Sequence, residues 1–161
     1  MIKQSKISVR HLVEFILRRG SIDNRKKSNH TALEGARIHR KLQKDAGENY
    51  EKEVFLKTTV QLDEYHLIVE GRADGIFKRD GIYYIDEIKT SEPRFEDLEP
   101  EQVELFFHQA RVYAYIYSQE HDLQEINLQL TYFQTAEEVI TRKVEHQTRE
   151  QLETFFKRSE E

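Results

Sequence analysis

The dipeptide Asp80-Gly81 stands between two apolar-rich runs, one leading in through Ile76 and Phe77 and one leading out from Ile82 to Ile88. Such a pair favours a two-residue hairpin turn with positive φ at both positions. That turn sets the register of both strands: Arg79 opposes Ile82, Phe77 opposes Tyr84, Gly75 opposes Asp86, and Asp74 opposes Glu87. Directly opposed side chains stand about 4.5–5.5 Å apart, so two carboxylates there repel each other and call for a counter-charge. A divalent cation supplies one. Lys89 shares the face of Glu87, because strand side chains alternate with period two. A four-residue loop, Lys78 to Gly81, would instead set Arg72 against Glu87 and leave an ordinary salt bridge.

Two helical segments add polar groups to apolar faces. In Thr31 to Lys44, a period of about 100° per residue gathers Ala32, Gly35, Ala36, Leu42 and Ala46 around His39. Arg37, Arg40, Lys41 and Lys44 take the other side. One imidazole is thus expected to face inward, either as a ligand or as a core histidine satisfied by a backbone carbonyl. Farther on, Gln109 and Tyr113 lie one turn apart. They border the stripe Val103, Phe106, Phe107, Ala110, Ala114 and Tyr117.

The remaining pattern fits one domain, residues 1–161, with a single core. Ser8 is expected to cap a helix running through Arg19 and stopped by Gly20. Asn24 to His30 reads as a polar loop, and Thr31 with Glu34 as a capping box for the His39 helix, which Gly47 ends. Strands are expected over Val54–Leu62, His66–Phe77, Ile82–Lys89, Ile126–Phe133 and Val139–Val144. Helices are expected over Glu101–Gln119 and Arg149–Lys157, with Pro93 to Pro100 as an acidic connector. This order predicts an α/β fold, a mixed central sheet of about four to five strands flanked by helices.

The order His39, Asp74, Glu87-Ile88-Lys89, Gln109-x3-Tyr113 resembles the RecB-like branch of the PD-(D/E)XK nuclease superfamily. The matching pieces are Glu34-Gly-Ala-Arg-Ile-His39, Gly71-Arg-Ala-Asp74, Glu87-Ile-Lys89-Thr90 and Gln109-Ala-Arg-Val-Tyr113. They span residues 31 to 117. CRISPR-associated RecB-like nucleases share this order, and the opening segment Ile7 to Asp23 is similar to the amino-terminal nuclease domain of Rad3/DinG-type bacterial helicases. The resemblance implies a restriction-endonuclease-like core. It also implies a metal held by His39, Asp74, Glu87 and the carbonyl of Ile88. Lys89 would then orient the attacking water, and Gln109 and Tyr113 would contact or brace the substrate. Imidazole in the ligand set favours Mn²⁺ over Mg²⁺. Several members of the branch hold an iron–sulfur cluster through four cysteines. This chain has no cysteine, so no such cluster forms here.

Composition narrows the remaining choices. The absence of cysteine excludes disulfides and fits a reducing, cytoplasmic setting. No segment approaches the roughly 18 apolar residues that span a bilayer. The net charge is −5, yet residues 1–45 hold 12 Lys+Arg against 4 Asp+Glu, a balance of +8. Arg18-Arg19, Arg25-Lys26-Lys27 and the outward cations of the His39 helix are therefore a candidate phosphate-facing rim. No P-loop sequence occurs, so these residues carry no helicase motor. The expected function is a metal-dependent deoxyribonuclease acting on single-stranded DNA or DNA ends in repair or processing. A linked or associated helicase is the expected partner. The alternative is an inactive nuclease-fold module that binds nucleic acid or scaffolds a helicase.

Overall fold

The computed structural model describes residues 3–17, 29–62 and 64–160. The Gly20 helix stop, residues 24–28 of the expected polar loop and the basic runs at 18–19 and 25–27 lie outside the described residues, as does the Thr31 side chain, while Asn29 and His30, expected in that loop, are helical. The chain runs β1 (Lys3–Ser8), α1 (Val9–Leu17), α2 (Asn29–Asp45), β2 (Glu51–Leu62), β3 (Tyr65–Arg79), β4 (Ile82–Ser91), α3 (Pro100–His121), β5 (Glu125–Gln134), β6 (Val139–Thr148) and α4 (Arg149–Glu160). A short 3₁₀ turn, Phe95–Asp97, lies in the acidic connector.

The expected α/β fold is present, with six strands in its mixed sheet rather than four to five. The additional strand is β1, which pairs in parallel with β3 from Lys3↔Tyr65 to Ser8↔Glu70. Its sequence, KQSKIS, has one apolar residue and no alternation, so the neighbouring strand rather than local pattern makes it a strand. The remaining pairs are β2–β3, β3–β4 and β5–β6, all antiparallel, and β4–β5, parallel. Ser8 does cap α1, its Oγ accepting the N–H of His11 at 3.0 Å. α2 begins at Asn29, so Thr31 lies inside its first turn rather than at the cap.

The hairpin register is the two-residue one. Asp80 and Gly81 have φ of 53° and 82°, and the ladder reads Arg79↔Ile82, Phe77↔Tyr84 and Gly75↔Asp86. The salt-bridge register with Arg72 opposite Glu87 does not occur.

Helices cover both faces of the sheet. On one face the main core joins α1, α3 and α4 to inward residues such as Val69, Ala73, Ile85, Leu128 and Leu130. On the other, Ile38 and Leu42 of α2 close over Ile88, with Phe133 beside them. The inward face of α2 therefore differs from the one its alanines suggest. Ala32, Ala36 and Ala46 are exposed, while Ile38, Leu42 and Gln43 are buried. Arg37, Arg40, Lys41 and Lys44 do face solvent. Gln109 and Tyr113 are buried rather than flanking, because α3 is enclosed between the sheet, α1 and α4.

Candidate active site

Strand β3 is shared along one edge by two partners. β1 pairs with it as far as Glu70, and β4 pairs with it only from Gly75 onward. Residues 71–74 lie in the fork between them, where β4 leaves β3 for β5. Asp74 sits at the root of this fork. On its other side, the β2 ladder pairs Lys52 with Gly75 and Val54 with Ala73 but skips Glu53 and Asp74. Glu53 has a φ of 52°, a left-handed conformation that non-glycine residues seldom adopt. Two contacts hold the irregularity in place. The buried amide of Gln43 donates to the Asp74 carbonyl at 2.8 Å and to Glu53 Oε1 at 2.9 Å.

The Asp74 carboxylate is thereby freed from the strand pattern. Its Oδ2 accepts the Ile88 N–H at 2.7 Å, one residue beyond the expected opposition to Glu87. Its Oδ1 stands 3.7 Å from His39 Nδ1. The alternation of β4 explains why the fork matters. Glu87 and Lys89 share the face of Ile85, toward α3, whereas Ile88 faces α2. A site built on an unbroken sheet would keep His39 of α2 apart from Glu87. The gap beside Asp74 lets both layers reach one point.

His39, Asp74, Glu87, Ile88, Lys89, Gln109 and Tyr113 all line one cleft of about 220 Å³, with Arg10 of α1. The two glycines flanking this arrangement have packing roles. A Cβ at Gly71 would stand 2.6 Å from the Tyr113 hydroxyl, and one at Gly35 would stand 3.1 Å from Thr90 Oγ1. Gly71 thus lets α3 bring Tyr113 to the strand, and Gly35 lets α2 approach β4.

Electrostatics single out Glu87. It is buried, and burial pushes its pKa up to about 7, against the pull of Lys89 Nζ at 3.1 Å and with added repulsion from Asp74. Its Oε2 is buried without a hydrogen-bond partner. Burial also raises the Tyr113 pKa, reinforced by Glu87 and Asp74 and opposed by Arg10, so the phenol keeps its proton. Lys89 Nζ also lies 5.4 Å from the centre of the Phe106 ring.

Among the described residues, no three His, Asp and Glu side chains stand in a ready metal-holding arrangement. The donor set nonetheless suits a hard divalent cation: two carboxylates and an imidazole open on one cleft, and one carboxylate oxygen is buried and unpartnered. An orphaned buried acceptor is costly, and a cation is one means of satisfying it.

What sequence reasoning missed is Arg10, Gln43 and the left-handed backbone of Glu53. Gln43 follows His39 by one helical turn, and that spacing was the available signal. Arg10 depends on β1, and the backbone of Glu53 depends on its mismatch with Asp74.

No family model matches the sequence, and no curated protein matches it. Among solved structures, the fold is similar to that titled "Crystal structure of SSO0001", with a TM-score of 0.59 and 18% identity over 96% of this chain and 74% of that one. The likeness is one of fold. No described helix is long and apolar enough to cross a membrane.

Proposed function

We propose that this protein is a divalent-metal-dependent deoxyribonuclease of the PD-(D/E)XK type. It would hydrolyse phosphodiester bonds in single-stranded DNA or at DNA ends, in cytoplasmic DNA repair or processing beside a helicase. One observation carries the reading. All seven residues singled out from the sequence line a single cleft, and a buried Glu87 oxygen in it lacks a partner.

Asp74, Glu87, His39 and the Ile88 carbonyl are the donors for Mn²⁺ or Mg²⁺, which when bound neutralises phosphate charge and acidifies a bound water. The protein's own groups do the rest. Asp74 is held in place for this role by the Ile88 N–H and by Gln43 on its carbonyl. Lys89 is a donor to an attacking water or a phosphate oxygen, and it balances the charge that develops there. In the resting protein it is paired with Glu87, so that carboxylate would have to release Lys89 to hold a cation. Tyr113, kept protonated, is a donor to phosphate oxygens, as is the Gln109 amide.

The test is incubation with end-labelled single- and double-stranded DNA in Mn²⁺, Mg²⁺ or EDTA. Cleavage with Mn²⁺ that stops in EDTA is expected. Cleavage that persists in EDTA, or none with any divalent ion, contradicts the proposal. DNA binding without cleavage would favour the inactive nuclease-fold module. The Glu87–Lys89 pair, which can neutralise the carboxylate with no metal at all, is the observation that suits that second reading.

A further inference from the structure

We propose that Arg10 is a substrate-contacting residue of this cleft, its guanidinium taking the non-bridging oxygens of a nucleic-acid backbone phosphate. The inference rests on the nuclease reading and adds to it a residue outside its motifs. Arg10 reaches the site through the one strand that local sequence does not announce. β1 runs parallel to β3 and ends with Ser8 beside Glu70, four residues before Asp74. Ser8 then caps α1, and Arg10, the second residue of that helix, lines the cleft with Asp74, Glu87 and Tyr113.

The cleft needs such a group. Its lining holds two carboxylates and two permanent cations, Lys89 and Arg10. Lys89 is paired with Glu87 at 3.1 Å. Arg10 is not tied to either carboxylate of the cleft. Its ion pair is with Glu14, one turn along α1, at 3.8 Å and with the arginine side chain 70% exposed. An exposed pair at that distance holds a side chain weakly. A phosphodiester entering beside Asp74 and Glu87 meets their negative charge. A planar guanidinium offers two parallel donors to two phosphate oxygens, a fit that an ammonium cannot reproduce. Arg10 and Tyr113 line the cleft together, so it holds a second donor for phosphate oxygens besides the guanidinium.

The test measures binding without cleavage. A fluorescent single-stranded oligothymidylate is titrated in EDTA across a range of salt, with the parent, Arg10→Ala and Arg10→Lys. Thermal midpoints serve as the folding control, and Arg10 is exposed enough for these to stay close together. Arg10→Ala is expected to bind about tenfold more weakly at low salt. Its log–log salt slope should be smaller by about 0.7, the value of one single-strand phosphate contact. Arg10→Lys should recover the slope but only part of the affinity.

Parental affinity and slope in Arg10→Ala would overturn the proposal and leave Arg10 as the partner of Glu14. No binding by the parent would overturn this proposal, whereas the nuclease reading stands or falls on cleavage with Mn²⁺. If the parent binds with an Arg10-dependent slope but cleaves with no metal, the Arg10 contact stands and the nuclease reading falls. If it cleaves and Arg10→Ala leaves slope and KM unchanged, the reverse holds.

Discussion

Asp86 and Glu87 are consecutive carboxylates on β4, 3% and 6% exposed, yet the protein treats them oppositely. Asp86 faces the α2 side of the sheet and is fully served. Tyr50 donates to its Oδ2 at 2.6 Å, and Thr131 and Gln129 donate to its Oδ1 at 2.6 and 3.2 Å. Glu87 faces the α3 side, holds one lysine and leaves an oxygen orphaned. Desolvation raises both pKa values, but at Asp86 three hydrogen bonds work against it. A carboxylate with all its partners inside the protein is a structural element. One left with an empty lone pair at a cleft is poised for something that arrives from outside.

Substitution at Gly75, opposite Asp86, disturbs the satisfied carboxylate most severely. A Cβ there would fall 1.8 Å from Cζ of Tyr50, so Gly75→Ala must expel the ring and strip Asp86 of a donor. The expected loss is about 3 kcal/mol, read as a thermal midpoint lower by roughly 6–12 °C. An unchanged midpoint would mean that the ring is not seated there.

The next largest effect is one of pH. Glu87 has a native pKa of about 7, above its ordinary value of 4.5. Between these values the folded state holds more protons than the unfolded state, so this group's contribution to stability falls as pH rises from about 4.5 to 7 and is flat above. Glu87→Gln cannot titrate. Its stability relative to the parent should therefore climb by roughly 2–3 kcal/mol across that window. Denaturant melts at a series of pH values measure the difference, and a constant offset would contradict the raised pKa.

Tyr50→Phe probes the satisfied side more gently. It removes one donor from Asp86 and should cost about 1–2 kcal/mol with no change in the response to Mn²⁺. A loss of metal response would tie the two faces together. Gln43→Leu acts on the cleft instead, beside Asp74. It strips the Asp74 carbonyl of its side-chain donor, costs about 1 kcal/mol, and should weaken Mn²⁺ binding because Asp74 is no longer pinned in the fork. Calorimetric titration reads this, and parental affinity would show that Gln43 merely packs.

The hairpin was legible because a two-residue turn with Asp80-Gly81 leaves little freedom, and the alternation of β4 then fixed which side chains share a face. His39, Gln109 and Tyr113 were legible through helical spacing together with motif order, although only the folded chain brings them to a common cleft with Gln109 and Tyr113 buried. Arg10 was not, since β1 is held by parallel pairing and carries almost no apolar pattern. The Asp86 network escaped for a similar reason. Tyr50, Gln129 and Thr131 are scattered along the chain, and only the order of strands brings them together. The left-handed backbone of Glu53 follows from a gap in the β2–β3 ladder that neither strand announces alone.

The proposed cation site at Asp74 and Glu87 is tested most directly by a thermal melt with and without Mn²⁺. A ligand that binds only the folded state stabilises by about 2.7 kcal/mol at a hundredfold excess over Kd. The parent midpoint should rise with millimolar Mn²⁺. Asp74→Asn, which keeps the shape and deletes one charge, should match or exceed the parent without metal and respond little to it. A parent that ignores millimolar Mn²⁺, or an Asp74→Asn variant that responds as fully as the parent, would contradict the site.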